Sequence, residues 1–173
     1  NQTKDEVCVL NYEDEVLRAF GESAPVHVVW FSSARKLAEG FYLDGEEIFY
    51  AHDGNTEKVI NVNDLNLLGR HNYENVMAAT AMSVNFGVPM EKIVEVLKRF
   101  QAVEHRIEYV TEKRGVRFYN DSKGTNPDAA IQGIRAMNRP TLLIGGGYDK
   151  QSTYEEWIDA FDGKVKKLVL IGQ

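Results

Sequence analysis

Short apolar runs and helix-period stripes alternate along this chain of 173 residues. "VCVLN" (7–11) is a continuous apolar run of strand length, and so predicts a buried strand. "YEDEVLRAFGES" follows, with Val16, Leu17 and Phe20 at helical spacing and Gly21 as a stop. "VHVVWFS" (26–32) is β-branched and aromatic, the composition of a strand. "GFYLDGEEIFYA" puts Asp44-Gly45 between two strand-like halves and predicts a hairpin. "EKVINV" (57–62) predicts a further strand.

The period changes at His71. From there to Phe86 the spacing predicts a helix, with Val76, Ala79, Ser83 and Phe86 on one face. Pro89 suits the first turn of a second helix, whose Ile93, Leu97 and Phe100 repeat at i, i+4 and i+7. A third texture starts near Gln101. "RIEYVTEKRGVRFYND" reads as two strands around a "KRG" turn. A helix then opens with Asn126 as N-cap, Pro127 at its first position and Asp128 in its first turn. "PTLLIGGG" predicts a strand, "STYEEWIDAF" a helix with a capping box, and "KKLVLIG" a last strand. Strand and helix alternate here as βαβαβ, which implies a parallel sheet with right-handed crossovers. The chain is therefore α/β, with a domain boundary near residues 100–106.

Composition narrows the function classes. The net charge is −6 with both signs interspersed, and no Lys/Arg block supports nucleic-acid binding. No apolar run approaches the ~20 residues of a membrane span. Cys8 is the one cysteine, so neither an internal disulfide nor a Cys-based metal site is expected; inside "VCVLN" it reads as a small hydrophobe of the strand, and no disulfide-linked partner is expected. Four scattered histidines do not make a metal site either, and His27 and His52 read as structural. This set fits a cytoplasmic protein. With no initiator Met and a terminal strand at "KKLVLIGQ", the sequence reads as a piece of a longer one.

In open α/β sheets ligands sit at the carboxyl ends of strands. "NDSKGTN" (120–126) is such an end. Asp121 can accept from sugar hydroxyls and Lys123 can neutralise phosphate. Thr125 and the helix N-terminus after Asn126 can hold a carboxylate or phosphate. A solvated turn needing a glycine and a cap would look similar. "GGGYDK" (145–150) is a second strand end; Lys150 stands where a dinucleotide fingerprint needs its third glycine. His71, Asn72 and Asn75 share the first helical turn of "GRHNYENVMAAT", and side-chain amides both donate to and accept from a heterocycle. His105 and Arg106 sit at the boundary, either as a surface basic pair or as phosphate and ribose contacts. No G-x-x-x-x-G-K-[ST] loop occurs.

"LGRHNYENVMAAT", "HRIEYV", "GVRFYNDSKGTNPDAAIQGIRAM" and "LLIGGGYDK", in that order, resemble the Mur ligases, and within them the D-glutamate-adding members. The "NDSKGTN" turn carries the finer resemblance. It implies a three-domain enzyme. Residues 1–103 would be the second half of the central ATPase-type α/β domain, and 104–173 the first part of a Rossmann-like C-terminal domain. The implied substrates are ATP, UDP-N-acetylmuramoyl-L-alanine and D-glutamate, with Mg2+. The phosphate loop and the metal ligands would lie upstream, so this chain alone is expected to be inactive and to hold no metal. His71, Asn72 and Asn75 would lie by adenine and ribose, His105 and Arg106 by ribose and phosphate, and Asp121 on the ribose hydroxyls. Lys123 would serve catalysis from the phosphate side. Thr125 and Lys150 would hold the D-glutamate carboxylate. Two alternatives stay open: another Mur-type amino-acid ligase, or a non-catalytic α/β binding module.

Overall fold

The computed structural model describes residues 2–148 and 153–172. The chain forms two compact units, residues 1–101 and 102–173. Among the described residues no helix is long and apolar enough to cross a membrane.

The first unit is a five-stranded mixed sheet in the order β1-β2-β3-β4-β5. Its strands are β1 (Val7–Asn11), β2 (His27–Ser32), β3 (Gly40–Asp44), β4 (Glu47–His52) and β5 (Asn55–Asn61). β1, β2 and β3 run parallel, and β4 and β5 continue antiparallel. Helix α1 (Glu15–Ser23) makes the crossover from β1 to β2. Its first turn is fixed by the Asp14 carboxylate, which accepts the N–H groups of Val16 and Leu17. A parallel pair normally needs a longer connection than residues 33–39. Here β2 and β3 overlap at only two positions, Phe31 with Phe41 and Ser32 with Tyr42, so the chain has little distance to return.

The β3–β4 turn has Gly45 alone at positive φ in its first central position, the requirement of a type II′ turn. Asp44 is the last strand residue, so the Asp44-Gly45 pair straddles the boundary of the turn. A second Asp-Gly pair, Asp53-Gly54, fills both central positions of the β4–β5 turn with φ of 51° and 73°. Sequence reading passed over that signal.

Helix α2 (Arg70–Asn85) packs on β1, β2 and β3. It buries Val76, Met77, Thr80 and Ala81 against a core that includes Phe41 and Ile48. The expected face of Val76, Ala79, Ser83 and Phe86 is therefore rotated; Ala79 is exposed and Phe86 is 88% exposed. Small residues surround this helix, so its apolar period is weak and Met77 decides which side turns inward. Pro89 is the N-cap of α3 (Met90–Arg99), one place earlier than expected.

The second unit holds two two-stranded sheets. β6 (Glu108–Lys113) and β7 (Val116–Asn120) form a hairpin across Arg114-Gly115, both at positive φ. β8 (Thr141–Gly147) and β9 (Val165–Gly172) pair in parallel around α5 (Glu155–Asp159). Helix α4 (Pro127–Ala136) starts as predicted, with the Asn126 side chain accepting the Ala129 N–H at 2.8 Å. The expected single βαβαβ sheet is not what forms among the described residues. β7 bonds to β6, and β8 bonds to β9. Alternation of strand and helix specifies crossovers, but it does not say which strands are neighbours. The α5 cap differs as well: Tyr154 takes that position in place of the expected Ser152 or Thr153, and its side chain makes no capping bond to the helix; Ser152 lies outside the described residues.

Candidate functional site

In the second unit the chain folds residues 105–107 against the turn that leaves β7. The Asp121 Oδ1 accepts the Ile107 N–H at 3.0 Å. The Lys123 N–H donates to the His105 carbonyl at 2.9 Å. Asn120 reaches His105 with its side chain, Nδ2 to Nδ1, at 2.8 Å. "EHRIE" and "NDSKGTN" thus form one rim, although they are far apart in sequence.

The backbone there is strained. His105 has φ 66° and Ile107 φ 47°. A β-branched residue in the left-handed region is a conformational outlier, and the surroundings must hold it there. Ile107 is buried, and its N–H is held by Asp121. His105 is held at both ends of its backbone: its N–H donates to Glu108 Oε2 at 2.8 Å, and its carbonyl accepts from Lys123. Between the two, Arg106 is exposed and its N–H donates to the Val103 carbonyl.

The turn itself is tight. The Gly124 N–H bonds the Asp121 carbonyl at 2.8 Å, and the Thr125 N–H bonds the Lys123 carbonyl at 2.9 Å. A Cβ on Gly124 would stand 3.0 Å from Asp121 Oδ2, and one on Gly133 of α4 would stand 2.5 Å from it. The carboxylate is thus packed between the turn and the helix. The Lys123 and Thr125 side chains are exposed on the same turn. This rim offers a carboxylate, two cationic side chains, an imidazole and a hydroxyl near a helix N-terminus, a set suited to a polyhydroxylated anion. Lys150 lies outside the described residues.

Sequence reading did not single out Asn120, Ile107, Glu108 or Gly133. An Asn closing a strand is a turn signal, and a Gly inside a helix pattern marks close approach. The two signals point to Asn120 and Gly133.

In the first unit, His71, Asn72 and Asn75 lie in the first turns of α2, after Gly69 at φ 95°. Asn72 Nδ2 donates to the Leu68 carbonyl at 2.7 Å, which ties the amide back over Gly69. Asn75 is exposed one turn on, and His71 is half-buried and engaged with neighbours. The helix start is docked on the loop after β2. Arg70 donates through Nε to Ser33 Oγ at 2.8 Å and through Nη2 to the Ser33 carbonyl, and Ser33 Oγ donates to Glu74. Ser33, Arg35, Lys36, Asp44, Arg70 and Tyr73 are among the residues lining an open cleft of about 540 Å³. Burial pushes the Tyr73 phenol up. Beside it, the Arg35 guanidinium grips Glu13 with bonds of 2.9 and 2.8 Å and holds that carboxyl below its ordinary range. None of His71, Asn72 or Asn75 lines this cleft.

No group of three or more His, Cys, Asp or Glu side chains suited to a metal ion occurs among the described residues. The described residues therefore offer no ligand set for a resident metal ion.

Residues 105–173 match the family described as "Mur ligase, glutamate ligase domain". The whole chain is 56% identical to UDP-N-acetylmuramoylalanine--D-glutamate ligase of Lachnoclostridium phytofermentans, covering 38% of that protein. It is 57% identical to the enzyme of that name in Lachnospira eligens and 41% identical to that of Clostridioides difficile, again over 100% of this chain and 38% of each relative. The chain thus spans under half the length of these curated relatives. MurF from Acinetobacter baumannii superposes with a TM-score of 0.63 at 20% identity, covering 96% of this chain and 39% of that one. The MurC alanine ligase of Thermotoga maritima gives 0.59 at 15%, covering 95% and 43%. At such identities these two structures bear on the fold alone, a mixed α/β architecture shared with this chain. Identity along the whole chain, together with the domain match that begins at His105, the first residue of the strained segment, assigns the chain to the Mur ligase family.

Proposed function

We propose that this chain is part of an ATP-dependent ligase that joins D-glutamate to UDP-N-acetylmuramoyl-L-alanine. In this reading residues 1–103 belong to the central ATP-binding domain and residues 104–173 to the C-terminal, amino-acid-binding domain. The observation that carries the reading is the junction in the second unit, where His105, Arg106, Asp121, Lys123 and Thr125 occupy one strained rim. The relatives at 56% and 57% identity bear the name of this ligase.

The chemistry is activation followed by amide formation. The γ-phosphoryl group of ATP passes to the L-alanyl carboxylate. The D-glutamate amine then attacks the acyl phosphate carbon, the C–N bond forms, and phosphate leaves with the C–O electron pair. The side chains assigned here position and screen rather than react. Asn72 and Asn75 contact adenine and its ribose beside His71. Arg106 and His105 contact ribose and phosphate. A carboxylate has about four acceptor positions, so Asp121 can hold Ile107 and also receive a ribose hydroxyl. Lys123 screens the phosphoryl charge in the transition state. Thr125 and Lys150 take the D-glutamate carboxylate. ATP and Mg2+ act in the complete enzyme. This chain has no phosphate loop of the G-x-x-x-x-G-K-[ST] type and does not turn over alone.

The test is phosphate release from ATP by the full-length protein, with the nucleotide substrate and one amino acid at a time. Release with D-glutamate alone among the amino acids supports the proposal. Preference for another amino acid makes it a different ligase of the family. No release with any of them makes it a binding module.

A further inference from the structure

Asn120, the last residue of β7, uses both ends of its side-chain amide. Its Oδ1 accepts the Ser122 N–H at 3.1 Å. A backbone N–H can only donate, so this bond fixes which amide atom is oxygen. The other atom, Nδ2, stands 2.8 Å from His105 Nδ1. An amide nitrogen can only donate, so Nδ1 is the acceptor. The proton of the neutral imidazole therefore sits on Nε2.

One neighbour favours the opposite arrangement. Glu108 Oε2 is 3.5 Å from the same Nδ1 and would accept from it if it carried a proton. That oxygen is already occupied by the His105 backbone N–H at 2.8 Å, while Asn120 is closer to the ring. The His105 side chain is 53% exposed, so the ring keeps an open side.

We propose that Asn120 is a positioning residue that holds His105 as its Nε2–H tautomer, so that the rim presents a hydrogen-bond donor to a phosphoryl oxygen. This rests on the reading of residues 104–126 as a nucleotide-binding rim. An ionised phosphoryl oxygen only accepts. The opposite tautomer would turn the Nε2 lone pair toward it and repel it. Asn120 itself touches no ligand and moves no proton.

The tautomer is read from ring-nitrogen NMR shifts of the 15N-histidine-labelled chain, above the imidazole titration range, with His105→Phe assigning the signal. His105 should show Nε2–H. Asn120→Asp keeps the size and the acceptor for Ser122, so folding is preserved, but its second oxygen needs a donor; the ring should switch to Nδ1–H. Nδ1–H in the unmodified chain, or Nε2–H retained in Asn120→Asp, overturns the proposal. In the full-length protein, Asn120→Ala should raise KM for ATP about tenfold and leave KM for D-glutamate unchanged. An unchanged KM for ATP, or an equal rise in both, overturns the donor role. Absence of ATP turnover in the unsubstituted enzyme sinks the ligase reading and the phosphoryl acceptor with it, whereas the ring shifts judge the tautomer by themselves.

Discussion

The Asp121 carboxylate accepts the Ile107 N–H at 3.0 Å and so holds a β-branched residue at φ 47°. This side chain thus fixes the backbone just after Arg106, while Glu108 and the Lys123 N–H hold His105 just before it. Removing the acceptor leaves a buried donor unpaired. Asp121→Ala should lower the stability of the second unit by about 1–3 kcal/mol, and Asp121→Asn, which keeps an acceptor, by less. Urea unfolding followed by Trp157 fluorescence, in a Trp30→Phe background, reads this. Equal losses in the two variants would mean that the bond to Ile107 is not what matters.

Gly133 tests the same packing from the helix side. A Gly→Ala change inside a helix ordinarily stabilises by roughly 0.5–1 kcal/mol. Here the new Cβ would stand 2.5 Å from Asp121 Oδ2, whose partner oxygen is committed to Ile107. Gly133→Ala should therefore destabilise the otherwise native chain and stabilise the Asp121→Ala chain. A double-mutant cycle measures the difference. A stabilising effect in both backgrounds would remove the claim that the carboxylate is packed against α4.

In the first unit, Gly40 opens β3 at φ 113°, and a Cβ there would stand 2.3 Å from the Trp30 carbonyl oxygen. Neither the backbone of β2 nor that φ can adjust cheaply. Gly40→Ala should cost about 2–4 kcal/mol, read by Trp30 fluorescence in urea. A loss under about 0.5 kcal/mol would show that β2 and β3 are not paired in this register.

Glu13 gives a pH signature. Arg35, by hydrogen bonding, is the largest influence lowering its carboxyl pKa; burial opposes this, and the Ser32 hydroxyl adds to it. A depressed carboxyl contributes stability above its unfolded pKa, near 4.5, and loses it as pH falls through the folded value. Glu13→Gln should therefore be less stable than the native chain at neutral pH, and the gap should close in acid. A gap of constant size from about pH 7 to pH 3 would argue against the pair as its source.

Local chemistry was the most legible layer. Asn126 caps α4 as its place before Pro127 predicts, and Gly45 turns the hairpin, because both effects act within three or four residues. The inward face of α2 was not legible. Its many small residues give no strong period, and the sheet chose Met77 over Ala79. The neighbours of β7 were not legible either, since strand order is settled by long-range pairing. Within the rim, His105, Arg106, Asp121, Lys123 and Thr125 were named from sequence, and Glu108 was not. Asn120 and Ile107 were not, because the importance of each comes from a partner 15 or 14 positions away.

On the proposed reading, the rim around Asp121 and Lys123 serves amide formation at the expense of ATP. It is tested by phosphate release from ATP in the full-length protein given UDP-N-acetylmuramoyl-L-alanine and D-glutamate, beside Lys123→Ala. Release should require both substrates and fall by more than about tenfold in the variant, roughly 1.4 kcal/mol of barrier. Release that ignores D-glutamate, or that survives Lys123→Ala undiminished, would contradict it.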